Sequence, residues 1–169
     1  KFSVQVSTKV FDVQNKEEVF NALSNDENLE NVDVVVNNAG LALGRDFFDE
    51  ASLDDWEVMI DTNVKGLLYV TKAMLPYLIK TGKGHIVNIG STAGMEVYEK
   101  GNVYCATKHA VLAISESLRA ELSKKIRITT ISPGSVNTPF IHQTKNKELL
   151  SKFKPSFESG MPVEWVASQ

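Results

Sequence analysis

Val32-Asp33-Val34-Val35-Val36-Asn37-Asn38-Ala39-Gly40 is the stretch whose reading decides the fold. Its first five residues, four of them valine, form a short apolar run with no helical period. Such a run suits a strand buried on both faces of a parallel sheet. It stops at two carboxamides, an alanine and a glycine, residue types that end a strand and turn the chain. The same grammar recurs downstream. His85-Ile86-Val87-Asn88-Ile89 runs into Gly90-Ser91-Thr92-Ala93-Gly94, and residues 126–131 run into Ser132-Pro133-Gly134. Upstream, Val4, Val6, Val10 and Phe11 predict a further strand that closes at Asp12-Val13.

Helical patterns fill the intervals. Asn15 stands as an N-cap with Glu18 in the capping-box position, and Val19, Phe20 and Leu23 make the apolar stripe of a first helix. A polar loop, residues 24–31, comes next. Ser52 with Asp55 opens the longest helix, to about Lys80, with Trp56, Met59, Ile60, Val64, Leu67, Leu68 and Leu75 as its stripe. Gly82 and Gly84 punctuate. Another helix is predicted over residues 102–124, with Ala106, Ala110, Val111, Ile114 and Leu118 inward. Beyond Gly134 the chain is polar and poorly periodic, which reads as a mobile loop carrying short helices. This alternation predicts one domain over residues 1–169: an α/β fold with a doubly wound, Rossmann-like parallel sheet. Right-handed crossovers then put helices on both faces, and ligands bind beyond the carboxyl ends of the strands.

Composition narrows the function classes. A hydrophobic content of 43% with 23% charged residues is that of a soluble globular protein. A net charge of -3 supplies no basic field for a nucleic-acid backbone. No apolar run approaches the ~20 residues that span a bilayer. The single Cys105 excludes an internal disulfide and fits a reducing, cytoplasmic location. His85, His109 and His142 lack metal-ligand spacing, so no metal is expected. The sequence begins without Met on a strand-like segment and stops as Pro162-Val163-Glu164-Trp165 begins a helix, so a longer polypeptide is expected.

Chemistry gathers at the strand tips. Asp12, Asn37-Asn38-Ala39-Gly40, Gly90-Ser91 and Pro133-Gly134 would all lie on one rim of such a sheet, although each ends strands in proteins of every kind. Tyr104 and Lys108, four apart on a helix, share one face. An ammonium beside a phenol lowers its pKa and suits it to exchange a proton with an alcohol or carbonyl oxygen. The same spacing also arises when a ring packs under a long amine. Asn63 interrupts an apolar stripe, and a buried carboxamide must find partners. It reads equally as a brace for a helix kink or as a catalytic group, and both can hold together.

With these residues assembled, the chain resembles the short-chain dehydrogenase/reductase family over essentially its whole length. Asn37-Asn38-Ala39-Gly40, Asn63, Ser91, Tyr104, Lys108 and Pro133-Gly134 match that family's motifs in order and spacing. The resemblance implies an oxidoreductase that moves hydride between NAD(P) and an alcohol or carbonyl carbon of a small molecule. It implies Tyr104 as general acid and base, Lys108 lowering its pKa and binding the nicotinamide ribose, and Ser91 holding the substrate oxygen. Asn63 would anchor a water that relays protons from Lys108. Asp12 and Val13 would contact the adenine ring, Asn37, Ala39 and Gly40 the adenosine ribose, and Pro133, Gly134 and Thr138 the nicotinamide. Residues 37–44 and 88–94 look most like the NADP-dependent 3-hydroxy acid, or serine-type, dehydrogenases, which favours NADP over NAD. Those enzymes carry an Arg after the Pro-Gly segment that suits a substrate carboxylate; here Lys145 is the candidate. Met95 and Tyr98 are candidate substrate walls, and the acidic run 46–50 reads as a solvated loop near the substrate mouth.

The resemblance also implies what these residues omit: the family's first strand, glycine-rich turn, second strand and last strand. In the order 3-2-1-4-5-6, a strand at residues 4–11 would stand ~14 Å from the strand at 32–36, with nothing between. The family pairs subunits through the helices at 52–80 and 102–124, so a homodimer or homotetramer is expected. A non-catalytic remnant acting through those same helices is the alternative.

Overall fold

The computed structural model describes residues 4–24, 26–140 and 147–169. Its elements are α1 (Lys16–Leu23), β1 (Val34–Asn37), α2 (Leu53–Ile60), α3 (Leu67–Thr81), β2 (His85–Ile89), α4 (Asn102–Leu122), β3 (Arg127–Ile131), α5 (Lys147–Glu158) and α6 (Val163–Ala167). The three strands form one parallel sheet in the order β1-β2-β3. Val35, Ile86 and Ile128 align across it, as do Asn37, Asn88 and Thr130 two residues on.

That alignment puts both rows on one face. Val35, Ile86 and Ile128 pack with Met74 and Leu78 of α3 and with Ile126, and Leu118 and Leu122 of α4 join them. Full burial of a side chain such as Leu78 or Ile86 stabilises by roughly 1.5–3 kcal/mol. Nearer the tips the same face turns polar, and its two carboxamides are satisfied, whereas the buried Thr130 hydroxyl has no partner among the described residues. Asn37 Nδ2 donates to Thr71 Oγ1 (3.0 Å) and Asn88 Oδ1 (2.8 Å), while Asn88 Nδ2 donates to Ser115 Oγ (2.8 Å). Helices α3 and α4 therefore cover the same face. The expectation of helices on both faces is not met among the described residues. Val34 and Val36, on the opposite side of β1, are 51% and 56% exposed. Successive right-handed crossovers running in one direction deliver their helices to one side, and only a reversal of direction covers the other.

Residues 4–11 form no strand, contrary to expectation. A strand exists through ladder hydrogen bonds to a neighbour, and no described strand lies beside these residues. Val4, Val6 and Val10 are exposed, and the segment is tied down by Lys9, whose Nζ donates to Ala22 O (2.7 Å) and pairs with Asp26. The predicted N-cap of α1 is present. Asn15 Oδ1 accepts from the backbone N–H of Glu17 (3.0 Å) and Glu18 (3.3 Å). Glu18 reaches past the cap to the Asp12 N–H (3.0 Å), because the Asn15 N–H is already given to Asp12 O. Within the loop 24–31, Glu27–Leu29 forms one 3-10 turn.

The single long helix expected over 52–80 is two helices joined by a π-helical turn, Asp61–Gly66. A π turn takes up an extra residue and rotates the helix beyond it. Ile60, just before the turn, and Leu68, just beyond it, were expected inward and are exposed, while Met59, Leu67, Met74 and Leu78 are buried. On α4 the buried stripe is Cys105, Thr107, Lys108, Val111 and Ser115, and Ala106 faces out. Past Gly134, α5 is longer than the short helices expected, and Val136 bridges to Met161. His142 and Lys145 lie outside the described residues.

Candidate active site

The π turn is where the site begins. Asn63 sits in it, fully buried, and its carboxamide is used at every polar atom. Its Oδ1 accepts from the Leu41 N–H (2.9 Å), and its Nδ2 donates to Leu41 O (2.9 Å) and Thr107 Oγ1 (3.0 Å). One side chain thus fastens the loop after β1 to α4, and the brace anticipated for Asn63 is present. Thr107, to which no sequence signal pointed, passes the link on by donating to Tyr104 O (2.8 Å). At Gly40 a Cβ would meet Asn63 Oδ1 at 3.3 Å and Lys108 Nζ at 3.6 Å, so both groups border the same small space. Val13 packs on Gly66, where a Cβ would come within 3.0 Å of its methyl, and this seats the Asp12-Val13 turn on the π turn.

Tyr104 and Lys108 share the inner side of α4. Lys108 is 7% exposed, and its Nζ donates to Ile89 O (2.9 Å) at the tip of β2. Gly94 makes this possible, since a Cβ there would lie 2.7 Å from the Lys108 carbonyl oxygen. Ser91, at the start of the turn after β2, accepts from the Ala93 N–H (3.1 Å), and its hydroxyl lowers the Tyr104 phenol pKa. Gly90 N–H donates to Ile131 O (2.7 Å) and Thr92 N–H to Pro133 O (3.0 Å), which joins the tips of β2 and β3. The Phe140 ring stands 6.2 Å from that of Tyr104, and Phe140 N–H donates to Thr138 Oγ1 (3.4 Å). The structure thus brings Asn63, Ser91, Tyr104, Lys108 and Gly40 together, with Pro133 and Thr138 alongside. Asn37 differs, because its amide group is committed inside the sheet network and the residue is 9% exposed. Asp12 and Ala39 are exposed.

The electrostatics correct one expectation. Burial pushes the Tyr104 phenol above its ordinary value; the Ser91 hydroxyl and the Arg45 charge pull it back. Lys108 was expected to do the lowering. Its ammonium is 6.0 Å from the ring centroid and turned to Ile89 O, and burial brings it down to about 8. The linkage has a definite sign. The unfolded chain keeps this proton up to its ordinary 10.5, so the unfolded state binds more protons between about 8 and that value. The stability contributed by Lys108 therefore rises as pH rises through that window, by on the order of 3 kcal/mol. Urea midpoints at about pH 7.5 and 10 should show this rise in the parent and not in Lys108→Met; equal slopes would refute it.

The acidic run 46–50, expected to be a solvated loop, is exposed over residues 47–50, and a few contacts tie it to its surroundings. Phe48 and Trp56 rings are 4.8 Å apart, and Asn102 Nδ2 donates to Asp46 O (3.2 Å). Arg45 Cζ lies 5.9 Å from the Tyr98 ring centroid, and Lys100 Nζ lies 4.1 Å from that of Phe47. Arg45 was missed from sequence; only its place five residues after Gly40 pointed to it. His85 and His109 are occupied by Thr129 Oγ1 (2.8 Å) and Cys105 O (2.9 Å). Among the described residues no cluster could hold a metal ion, and no helix is long and apolar enough to cross a membrane.

Polar groups collected at the carboxyl rim of an open parallel sheet put the site where open α/β proteins bind their ligands. The short chain dehydrogenase family model matches residues 1–149, and the chain belongs to that family. It is 54% identical over 107 residues to the NADP-dependent 3-hydroxy acid dehydrogenase YdfG of Escherichia coli, covering 63% of this chain and 43% of that protein. An oxidoreductase of Staphylococcus saprophyticus is 38% identical over 167 residues, covering 96% of this chain and 67% of the relative. The closed form of serine dehydrogenase complexed with NADP+ superposes with a TM-score of 0.81 at 41% identity, over 94% of this chain and 68% of that one. The chain spans less than half the length of the Escherichia coli relative.

Proposed function

We propose that the protein is an NAD(P)-dependent oxidoreductase, with NADP favoured, that interconverts an alcohol and a carbonyl of a small molecule. The observation that carries this reading is the buried Lys108 ammonium, held on Ile89 O (2.9 Å) at the tip of β2 and one helical turn from Tyr104, whose phenol feels the Ser91 hydroxyl. The rim fits the nicotinamide half of such a cofactor. Gly134 has only Thr92 Cγ2, at 4.0 Å, near the place a side chain would fill, and Gly40 leaves space beside Asn63 and Lys108. When bound, the nicotinamide supplies or takes up the hydride.

The chain's own residues manage the proton and the oxygen. Tyr104 gives its phenolic proton to the carbonyl oxygen in reduction and takes it from the alcohol in oxidation. Because burial keeps the phenol protonated around neutral pH, the resting state is ready for reduction. Ser91 Oγ donates to the substrate oxygen and steadies charge as it develops there. Lys108 Nζ holds the nicotinamide ribose. The π turn loosens the regular backbone ladder around Asn63, which suits it to seat a water next to Lys108 for proton relay. Asp12 and Val13 would meet the adenine, Ala39 and Gly40 the adenosine ribose, with Asn37 holding their turn from within the sheet network, and Pro133, Gly134 and Thr138 the nicotinamide.

The names of the relatives and of the serine dehydrogenase structures suggest a small 3-hydroxy acid as substrate. Assembly as a homodimer or homotetramer through the outer faces of α2, α3 and α4 belongs to the same reading, and exposed Ile60, Leu68 and Ile79 support it. Full-length protein mixed with NADPH and a panel of small aldehydes, ketones and keto acids should consume the nicotinamide absorbance. Cofactor binding with no turnover of any carbonyl would overturn the assignment. A non-catalytic remnant is disfavoured by the intact set of Asn63, Ser91, Tyr104 and Lys108.

A further inference from the structure

We infer that Thr107 is a positioning residue of this site: its hydroxyl, held by Asn63 and holding the Tyr104 carbonyl, sets where the Tyr104 phenol stands. The inference rests on the oxidoreductase reading above. Thr107 is 2% exposed, and its Oγ1 has a single proton, which it gives to Tyr104 O (2.8 Å). The same oxygen accepts from Asn63 Nδ2 (3.0 Å). A threonine that bonds only to a carbonyl one turn back is ordinary in a helix. Here the second bond arrives from the π turn, 44 residues away in sequence, and converts a local contact into a tie between elements. Asn63 in turn holds both the N–H and the carbonyl of Leu41 (2.9 Å each). The donors therefore run in one direction, from the Asn63 amide through the Thr107 hydroxyl to the Tyr104 backbone, and bonds in such a chain polarise one another.

The place of this tie is what gives it a function. Tyr104 is the third residue of α4, and Gly101 ahead of the helix gives that first turn no side-chain cap. Uncapped first turns carry donors without helical partners and fray. Asn102 Nδ2 on Asp46 O (3.2 Å) ties the first residue of α4, and Lys108 Nζ on Ile89 O (2.9 Å) ties the far end of the next turn to β2. Thr107 stands between Tyr104 and Lys108 and fastens that turn to the π turn and to the loop that carries Gly40. A reacting group displaced by about 1 Å costs on the order of 100-fold in rate. The phenol keeps its place relative to Lys108 and Asn63 through the hydroxyl of Thr107, which itself touches neither substrate nor cofactor.

Thr107→Val, made in the full-length enzyme, keeps the shape of the side chain and removes the hydroxyl. Its kcat for carbonyl reduction with NADPH, expressed per NADPH-binding site, should fall about 10- to 100-fold, with KM for the carbonyl within about three-fold of the parent. Thr107→Ser keeps the hydroxyl and should stay within about three-fold in kcat. In a Tyr104→Phe background Thr107→Val should add less than about two-fold, because a residue that acts through the phenol then has nothing left to position. Should Thr107→Val yield no folded protein, Thr107→Ala, which also lacks the hydroxyl, is read against the same limits. With an active parent, the inference is overturned by an unchanged kcat in the variant lacking the hydroxyl, by equal impairment of Thr107→Ser, or by the same loss with and without the phenol; the oxidoreductase reading then still stands. A parent that reduces no carbonyl overturns both.

Discussion

Tyr104→Phe, made in the full-length enzyme, should lower kcat about 10²- to 10⁴-fold while cofactor affinity changes by no more than a few-fold. The substitution removes one oxygen. The ring stays in place, half-buried, against Phe140 at 6.2 Å. Packing is therefore retained, and the loss falls on proton transfer. Steady-state turnover of a carbonyl substrate, with nicotinamide binding followed separately by fluorescence, separates the two effects. Activity within ten-fold of the parent would mean that another group carries the proton. A matching loss of cofactor affinity would mean that the phenol serves binding instead.

For Asn63→Ala the larger expected effect is on stability. The substitution strips partners from the Leu41 N–H, the Leu41 carbonyl and Thr107 Oγ1 at once. Unpaired buried polar groups cost about 1–3 kcal/mol each, and partial rehydration offsets some of this, so a loss on the order of 2–4 kcal/mol is expected. Against a typical domain stability of about 5–15 kcal/mol that is a large fraction. Urea unfolding checks it. Turnover should fall as well, since the loop carrying Gly40 loses its fastening to α4. A loss under about 0.5 kcal/mol would show that the carboxamide does not brace the site.

The structure bears out much of the local reading because it concerned short-range chemistry. The cap at Asn15, the strand ends at Asn37 and Ile89, and the span of α4 depend on residue type and on neighbours within a turn or two. The π turn could not be read that way. No residue in Asp61–Gly66 demands it, and it shows in the sequence only as a polar Asn63 amid apolar spacing. Ile60 and Leu68, on either side of it, are exposed where an unbroken stripe would have them inward. Val4, Val6 and Val10 mislead for the opposite reason: β propensity is local, but a strand requires a partner.

From the sequence alone came the element types, the parallel α/β class, the family resemblance and the residues that would carry chemistry, because periodicity and motif spacing are written along the chain. Tertiary structure decided what lies beside what. It set α3 and α4 on one face, turned Lys108 to the Ile89 carbonyl, used all of Asn63 in a brace, and brought Arg45 to Tyr98. These are contacts between segments tens of residues apart. Their outcome depends on how buried polar groups compete for partners, and no single stretch of sequence encodes that competition.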